Sequence, residues 1–239
     1  MKILITGGSG SLGKQLKKVF PNAFAPSHLD LDIKDYNHVQ NFINDTKPDI
    51  IIHTAALVDI RRCETNRKLA WETNVVGTEN IVNAMKILLP ESLLVYTSTA
   101  CVFRGDEGNY NEKSIPFPKN FYALTKLIGE TISKQIENHL IIRTNFVPRE
   151  KWKYPRAFID RFGTYLFADD VAKAIKKIIE DNKRGIIHIC GDKKMSMYEL
   201  AKITTPEIKP LTMDEYLGPP VTRDMSLSSV IISPFTLSK

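Results

Sequence analysis

Cysteine is scarce in this sequence, and the few present are poorly placed for structural chemistry. Only three occur, Cys63, Cys101 and Cys190. Their odd number, wide separation and lack of any paired metal-ligand spacing exclude a disulfide framework and a zinc cluster, so no metal site is expected and a reducing compartment suits the chain. Long apolar runs are also missing. No stretch approaches the ~20 apolar residues that a helical membrane span requires. The chain passes from Met1-Lys2 directly into Ile3-Leu4-Ile5-Thr6, without the apolar core and cleavage site of a signal peptide. Repeats and low-complexity tracts are absent. No Lys/Arg tract is interleaved with aromatics, which argues against a nucleic-acid groove. The net charge of +6, from 33 Lys and Arg against 27 Asp and Glu, fits a solvated lysine-rich surface or a small anionic ligand such as a nucleotide. A cytoplasmic protein with no membrane and no nucleic-acid partner is expected.

What the sequence does have is alternation. Short apolar runs at residues 2–6, 50–53, 93–97 and 140–143 alternate with helical patterns at 11–19, 37–45, 70–88 and 121–137. Val39, Phe42 and Ile43 take the i, i+3, i+4 spacing of one buried helix face. Strands alternating with helices imply a parallel sheet covered on both faces. Residues 22–25, tightly bracketed by Pro21 and Pro26, are a weak candidate for the second strand. Residues 148–165, rich in charge, aromatics and proline, suggest a loop or short helices. A helix is expected at 169–180, a strand at 185–190 and a short helix at 197–203. Residues 206–239 show no periodicity. The expected division is a nucleotide-binding domain at 1–147, to which elements such as 168–190 return, and a small substrate-binding lobe formed mainly by 148–239.

The segment Thr6-Gly7-Gly8-Ser9-Gly10-Ser11-Leu12-Gly13 follows the first strand and opens the first helix. Glycines there allow a tight turn, close approach of a pyrophosphate and close helix–strand packing, while the helix N-terminus offers free N–H groups to phosphate. Context gives the motif its weight, and the expected fold is a Rossmann-type doubly wound sheet. At the end of the second strand, where NAD-preferring sites place a carboxylate, the sequence reads Ala25-Pro26-Ser27-His28. A hydroxyl and an imidazole tolerate a 2′-phosphate better than an acid does, so NADPH is favoured, with NADH possible.

Tyr122-Ala123-Leu124-Thr125-Lys126 sets a phenol and an ammonium one helical turn apart. A free phenol ionises near ~10, and a neighbouring ammonium is expected to lower that value and ease proton transfer. Thr97-Ser98-Thr99 ends the preceding strand. Thr99 can hold a substrate carbonyl, with Ser98 as the neighbouring alternative.

The Gly7-x-x-Gly10-x-x-Gly13 spacing with Thr99, Tyr122 and Lys126 resembles the extended short-chain dehydrogenase/reductases. Ser98-Thr99-x-x-Val102-Phe103-x-Gly105, Tyr110-Asn111-Glu112, Pro116-x-Pro118, Asn120-Phe121-Tyr122, Phe167-Ala168-Asp169-Asp170-Val171-Ala172 and Arg223-Asp224-x-Ser226-Leu227 narrow this to the dTDP-4-dehydrorhamnose reductase branch, over about residues 1–227. The resemblance implies cofactor contacts at Gly7, Gly10, Ser11, Leu12, Gly13, Ser27, His28, Asp32, Ile33, Thr54, Ala55, Ala56, Asn74, Tyr122 and Lys126. For two of these a plainer reading stays open: Asp32 as a loop or capping carboxylate, and Asn74 as a core amide satisfying backbone groups. It also implies substrate contacts at Thr99, Asn145, Lys153, Arg156 and Arg223. Lys151, Lys153, Arg156 and Arg161 are candidates for a nucleotide-sugar diphosphate, with a solvated loop as the competing account of them.

The implied reaction is reduction of the 4-keto group of a nucleotide-activated 6-deoxysugar. Two departures stand out. Ala100-Cys101 replaces the branch's Asp-Tyr, and residues 148–165 are shortened, so a product other than rhamnose is open. Cys101 stands where bifunctional 3,5-epimerase/4-reductases carry an acid/base thiol, and a 4-epimerase is a related alternative. The apparent position of that thiol's partner lies near Arg161, a poor base. A small buried apolar cysteine is the competing account of Cys101. A non-catalytic cofactor-binding regulatory subunit is the alternative outside catalysis, because the branch resembles one such partner of an S-adenosylmethionine-forming enzyme. A homodimer is compatible with all of these.

Overall fold

The computed structural model describes residues 1–238. Its centre is a parallel sheet of five strands, β1 (Ile3–Thr6), β2 (Ile50–His53), β3 (Leu93–Thr97), β4 (His139–Thr144) and, last in the sheet, the later strand Gly185–Ile189. Side chains alternate across the pleat, and both faces are apolar. Ile3, Ile5, Ile50, Ile52, Val95 and Ile142 join one core, while Leu4, Ile51 and Leu94 join the other. On the first face lies α1 (Ser11–Val19), packed against a later helix at Ala168–Glu180. On the second, α2 (Tyr36–Thr46) packs against a long helical stretch that includes Gly77–Leu88.

That stretch departs from a single helix. It comprises α3 (Ile60–Thr65), α4 (Arg67–Trp71), a wide turn over Glu72–Val76 and α5 (Gly77–Leu88). In the wide turn the Gly77 N–H bonds to the Glu72 carbonyl, five residues back. This π-type insertion carries Asn74, and such insertions recur at functional sites.

The weak second strand shrinks to a single bridge. Phe24 donates to the Ile3 carbonyl at 2.8 Å and accepts from Ile5 at 2.8 Å, and the two flanking prolines limit the ladder there.

Helix α6 (Phe121–Ser133) is capped by Asn120, whose side chain accepts from Ala123 at 2.9 Å. It stops at Ser133, short of residue 137. Beyond β4 the chain forms short strands rather than helices: β5 (Phe146–Val147), β6 (Arg156–Phe158), β7 (Phe162–Gly163) and β8 (Leu166–Phe167). Then come α7 (Ala168–Glu180) and β9 (Gly185–Ile189), which pairs with β4 and completes the sheet. β10 (Met195–Ser196), α8 (Met197–Thr204) and β11 (Lys209–Leu211) follow. α8 begins with a reciprocal Ser196–Glu199 capping box. β10 pairs with β7, and β11 with β6, in two-stranded ladders outside the central sheet.

One ionic contact fixes α6 to this frame. The Arg143 guanidinium donates two bonds to Glu130, at 2.9 and 2.7 Å, and Ser98 donates to the same carboxylate at 2.5 Å. Both charged residues are buried, and Arg143 also lies 5.0 Å from the centre of the Phe103 ring. Removing one partner strands the other charge away from water. Glu130→Gln should therefore destabilise the protein by about 3–5 kcal/mol in urea unfolding. Replacing Glu130 and Arg143 together by Met should recover most of the loss.

Candidate active site

The first turn after β1 is built by exclusion. Gly7 has φ +73, a left-handed conformation, and a Cβ there would stand 2.7 Å from the Ala55 nitrogen. A Cβ on Gly13 would stand 2.2 Å from the Gly7 carbonyl oxygen, so α1 can press against the turn only without one. Gly10 begins α1 without a side-chain cap, leaving the first-turn N–H groups of Ser11, Leu12 and Gly13 uncapped by any side chain. Leu12 is buried in the core and Ser11 is exposed.

A pocket of about 210 Å³ opens beside this turn, lined in part by Gly7, Pro26, His28, Asp32, Lys34 and Ala55, with Ile33 also on its wall. These residues suit a dinucleotide, with N–H groups for phosphate and an apolar wall at Pro26, Ile33 and Ala55. Asp32 accepts from the Lys34 N–H at 3.0 Å and pairs with the Lys34 ammonium at 3.4 Å. Ser27 does not face the pocket. Its hydroxyl donates to Asp30 at 2.7 Å, which places a carboxylate near the end of the second-strand segment although none is adjacent in sequence. Its bonds to Ser27 hold the Asp30 carboxyl below its ordinary range.

Thr54 and Ala56 lie half-buried in the loop after β2, and the Thr54 hydroxyl donates to the Thr6 carbonyl at 2.7 Å. Asn74 is buried, and its amide is committed to protein groups. It accepts from the Leu57 N–H at 2.7 Å and donates to the Leu57 carbonyl at 3.0 Å and to Thr125 Oγ1 at 2.9 Å. It therefore acts as a clamp between the loop beside the pocket and the helix that carries Tyr122 and Lys126. His53, fully buried behind it, bonds Thr6 at 2.7 Å and Thr78 at 3.0 Å. Burial pushes the His53 imidazole down to about 3, with the Lys126 charge adding to the effect, so it is neutral.

At the end of β3, the Thr99 hydroxyl accepts from the Cys101 N–H at 3.1 Å and caps a short turn over Ala100–Val102. Tyr122 lies in the first turn of α6 and stays partly accessible, while Lys126 is buried one turn later. Burial raises the Tyr122 phenol above its ordinary range, and the nearby Cys101 adds to this, opposed by the Thr99 hydroxyl. The expected lowering by Lys126 does not occur. The Lys126 ammonium lies 4.1 Å from the centre of the Tyr96 ring, and burial drives it down to about 7 against the pull of Glu130. Tyr96 and Glu130 were not singled out from the sequence. Glu130 continues the 122, 126, 130 spacing along one face of α6, a signal that was available.

Cys101 is buried, its thiol within hydrogen-bond range of Met225 Sδ at 3.7 Å and the Thr222 hydroxyl at 3.9 Å and near the Tyr122 phenol. No base reaches it among the described residues. The cations of the 148–165 segment and Arg223 mostly face solvent and carry other partners. Lys151 pairs with Glu207 at 3.5 Å, Arg156 with Glu215 at 2.7 Å and Arg223 with Asp160 at 3.3 Å. Lys153 is exposed beside the Tyr154 ring. Asn145, between β4 and β5, accepts from the Leu166 N–H of β8 at 3.1 Å through its carbonyl, and its buried side-chain NH₂ lies against the Tyr165 hydroxyl. The structure thus gathers Thr99, Cys101, Tyr122 and Lys126 beyond the glycine turn. It leaves Lys153, Arg156 and Arg223 on the outer surface.

A family model described as the RmlD substrate binding domain matches residues 1–221. The chain belongs to that family. It is 29% identical over 261 residues to methionine adenosyltransferase 2 subunit beta of Xenopus laevis, covering 91% of this chain and 77% of that protein. Against the dTDP-4-dehydrorhamnose reductase of Aggregatibacter actinomycetemcomitans it is 28% identical over 230 residues, covering 84% and 76%. The crystal structure of dTDP-4-dehydrorhamnose reductase from Bacillus anthracis in complex with NADP superposes with a TM-score of 0.86 at 26% identity, covering 95% of this chain and 90% of that one. Family membership and the Rossmann-like parallel sheet agree with the resemblance read from the glycine spacing and the motifs around Thr99 and Tyr122. No helix among the described residues is long and apolar enough to cross a membrane.

Two outcomes follow from this geometry. Gly13→Ala should displace the turn and weaken nicotinamide-dinucleotide binding by about tenfold or more in a fluorescence titration, while the protein stays folded. Lys126 has a folded value of about 7 against an ordinary 10.5, so between these limits the unfolded chain holds the extra proton. Stability should rise with pH across that window, and urea midpoints for Lys126→Met should lack this rise.

Proposed function

We propose that this protein is an NADPH-dependent reductase of the 4-keto group of a nucleotide-activated 6-deoxysugar. The observation that carries the reading is the placement of Thr99, Tyr122 and Lys126 on the end of β3 and one face of α6, with the glycine turn and pocket following β1. The Gly7–Gly13 turn and the wall at Ile33 and Ala55 would hold NADPH, which would supply the hydride. The chain supplies the proton. A phenol held neutral by burial is in the form that donates, and the alkoxide produced by hydride addition is a stronger base than phenolate, so transfer from Tyr122 runs downhill. The Thr99 hydroxyl donates to the same oxygen and orients it. The Lys126 ammonium, when protonated, holds the ribose hydroxyls and offsets the charge left on Tyr122.

His28 and Lys34 beside the pocket favour the extra phosphate of NADPH, and the NADP complex of the Bacillus anthracis reductase supports that choice. Asp30 beside Ser27 works in the opposite direction, so some use of NADH is retained. The surroundings of Cys101 argue against combined epimerisation, because the thiol has no base to exchange protons with.

The similarity to methionine adenosyltransferase 2 subunit beta favours a second reading, a cofactor-binding subunit without turnover. The two separate in one comparison. As a reductase, the protein oxidises NADPH stoichiometrically with a nucleotide 4-keto-6-deoxysugar. Tyr122→Phe then loses about 10²- to 10⁴-fold in kcat while keeping its affinity for NADPH. Absence of turnover across a panel of such sugars by the folded, NADPH-binding protein would end the reductase proposal.

A further inference from the structure

Lys126 is buried, yet among the described residues its ammonium has neither an ion pair nor a hydrogen bond. Glu130, the one acid of α6, is spent on Arg143 and Ser98. What the ammonium does meet is an aromatic face, the Tyr96 ring, whose centre lies 4.1 Å from Nζ. A cation is drawn to the negative face of a ring, and more strongly once both have left water. Here Tyr96 is fully buried and Lys126 nearly so. Burial also raises the Tyr96 phenol well above its ordinary range, so it meets Lys126 as a neutral ring and not as a phenolate.

Three contacts hold the ring in this place. The Tyr96 hydroxyl donates to the Lys126 carbonyl at 3.3 Å, so one residue grips both the backbone and the charge of the same lysine. Gly129 makes the room. A Cβ there would stand 2.1 Å from Tyr96 Oη and 2.6 Å from Cζ. On β2, in register with Tyr96, His53 packs against the ring at 5.7 Å between centres and is itself fixed by Thr6 and Thr78. The titratable and charged groups facing this pair are Glu130 and Tyr122 of α6, His53 of β2 and, behind Glu130, Arg143 of β4. His53 is neutral, as derived above, and Arg143 offsets the charge of Glu130.

We infer that Tyr96 is a positioning residue, whose ring stands in for a counter-ion and holds the Lys126 ammonium in place and in its charged form. This rests on the reading that Lys126 serves a reductase. A carboxylate in that place would occupy the N–H donors of the ammonium and keep it charged at any working pH. A ring attracts the charge without supplying a directional acceptor, so the donors stay available to a ligand.

The test replaces the strength of the ring and keeps its shape. Phenylalanine and its mono-, di-, tri- and tetrafluorinated forms are placed at position 96 of the full chain. Lys126 is then titrated by NMR with ¹³Cε-labelled lysine, its signal identified by its loss in Lys126→Met. Tyr96→Phe should keep the wild-type midpoint. Each added fluorine should lower it, by about one pH unit over the series, because a weaker ring gives up the proton earlier. Gly129→Ala, which drives the ring from beneath the helix, should lower it as well and keeps the inference testable if the position-96 series does not fold. With a nucleotide 4-keto-6-deoxysugar, the alkaline limb of kcat should move down together with the midpoint. A midpoint unmoved by fluorine or by Gly129→Ala in folded protein overturns the inference, since a merely structural ring would behave so. A full shift already in Tyr96→Phe overturns it too, by assigning the effect to the hydroxyl, and so does a kcat limb that stays while the midpoint moves. Wild type whose Lys126 follows the ring but which turns over no keto-sugar would defeat the reductase reading instead.

Discussion

The buried contact of Glu130 with Arg143 and Ser98 is the constraint on which the rest of the site depends. It joins the middle of α6 to β4 and to the end of β3 in a single cluster. The residues proposed for chemistry hang from those same elements, with Tyr122 and Lys126 on α6 and Thr99 one residue past Ser98. A low-dielectric ion pair with bidentate geometry is strongly directional. The distance from strand end to helix face is therefore set by polar geometry rather than by apolar packing, which tolerates sliding. The same carboxylate also tempers the electrostatics of Lys126, one turn away, so one group serves both position and charge.

Much of the fold was legible because it rests on short-range periodicity. The runs at 50–53 and 93–97 became strands as read, and Val39 and Ile43 became the buried face of α2. Less legible were features decided by contacts distant in sequence. The run at 22–25 has the composition of a strand, yet the prolines on either side leave it a single bridge. The break at Glu72–Val76 contains no glycine or proline, and Gly77 just beyond it fits an ordinary helix position as well. Segment 148–165 forms strands because β10 and β11 supply partners from far downstream, which local pattern does not encode.

The candidate site divides along the same line. Gly7, Gly13, Tyr122 and Lys126 carry spacing that can be read directly. By contrast, the basic residues at 151, 153, 156 and 161 look equivalent in sequence, and only burial and pairing separate Arg161 from its neighbours. Asn74 allowed two readings, and its hydrogen bonds to Leu57 and Thr125 commit its amide to the backbone and to the helix that carries Tyr122 and Lys126. Asp30 escaped notice because it reaches the end of the second-strand segment by folding back onto Ser27.

The wide turn at Glu72–Val76 has a bearing on how this sequence can change. It holds one residue more than a regular helical turn, and α5 beyond it presents Ile81, Val82 and Met85 to the core. Each residue of an α-helix advances the chain by about 100°. Deleting one residue here would restore ordinary helical bonding but would rotate Asn74 away from Leu57 and Thr125, or else swing the α5 core face out toward water. Insertions and deletions are thus barred from this segment even though its local bonding is irregular.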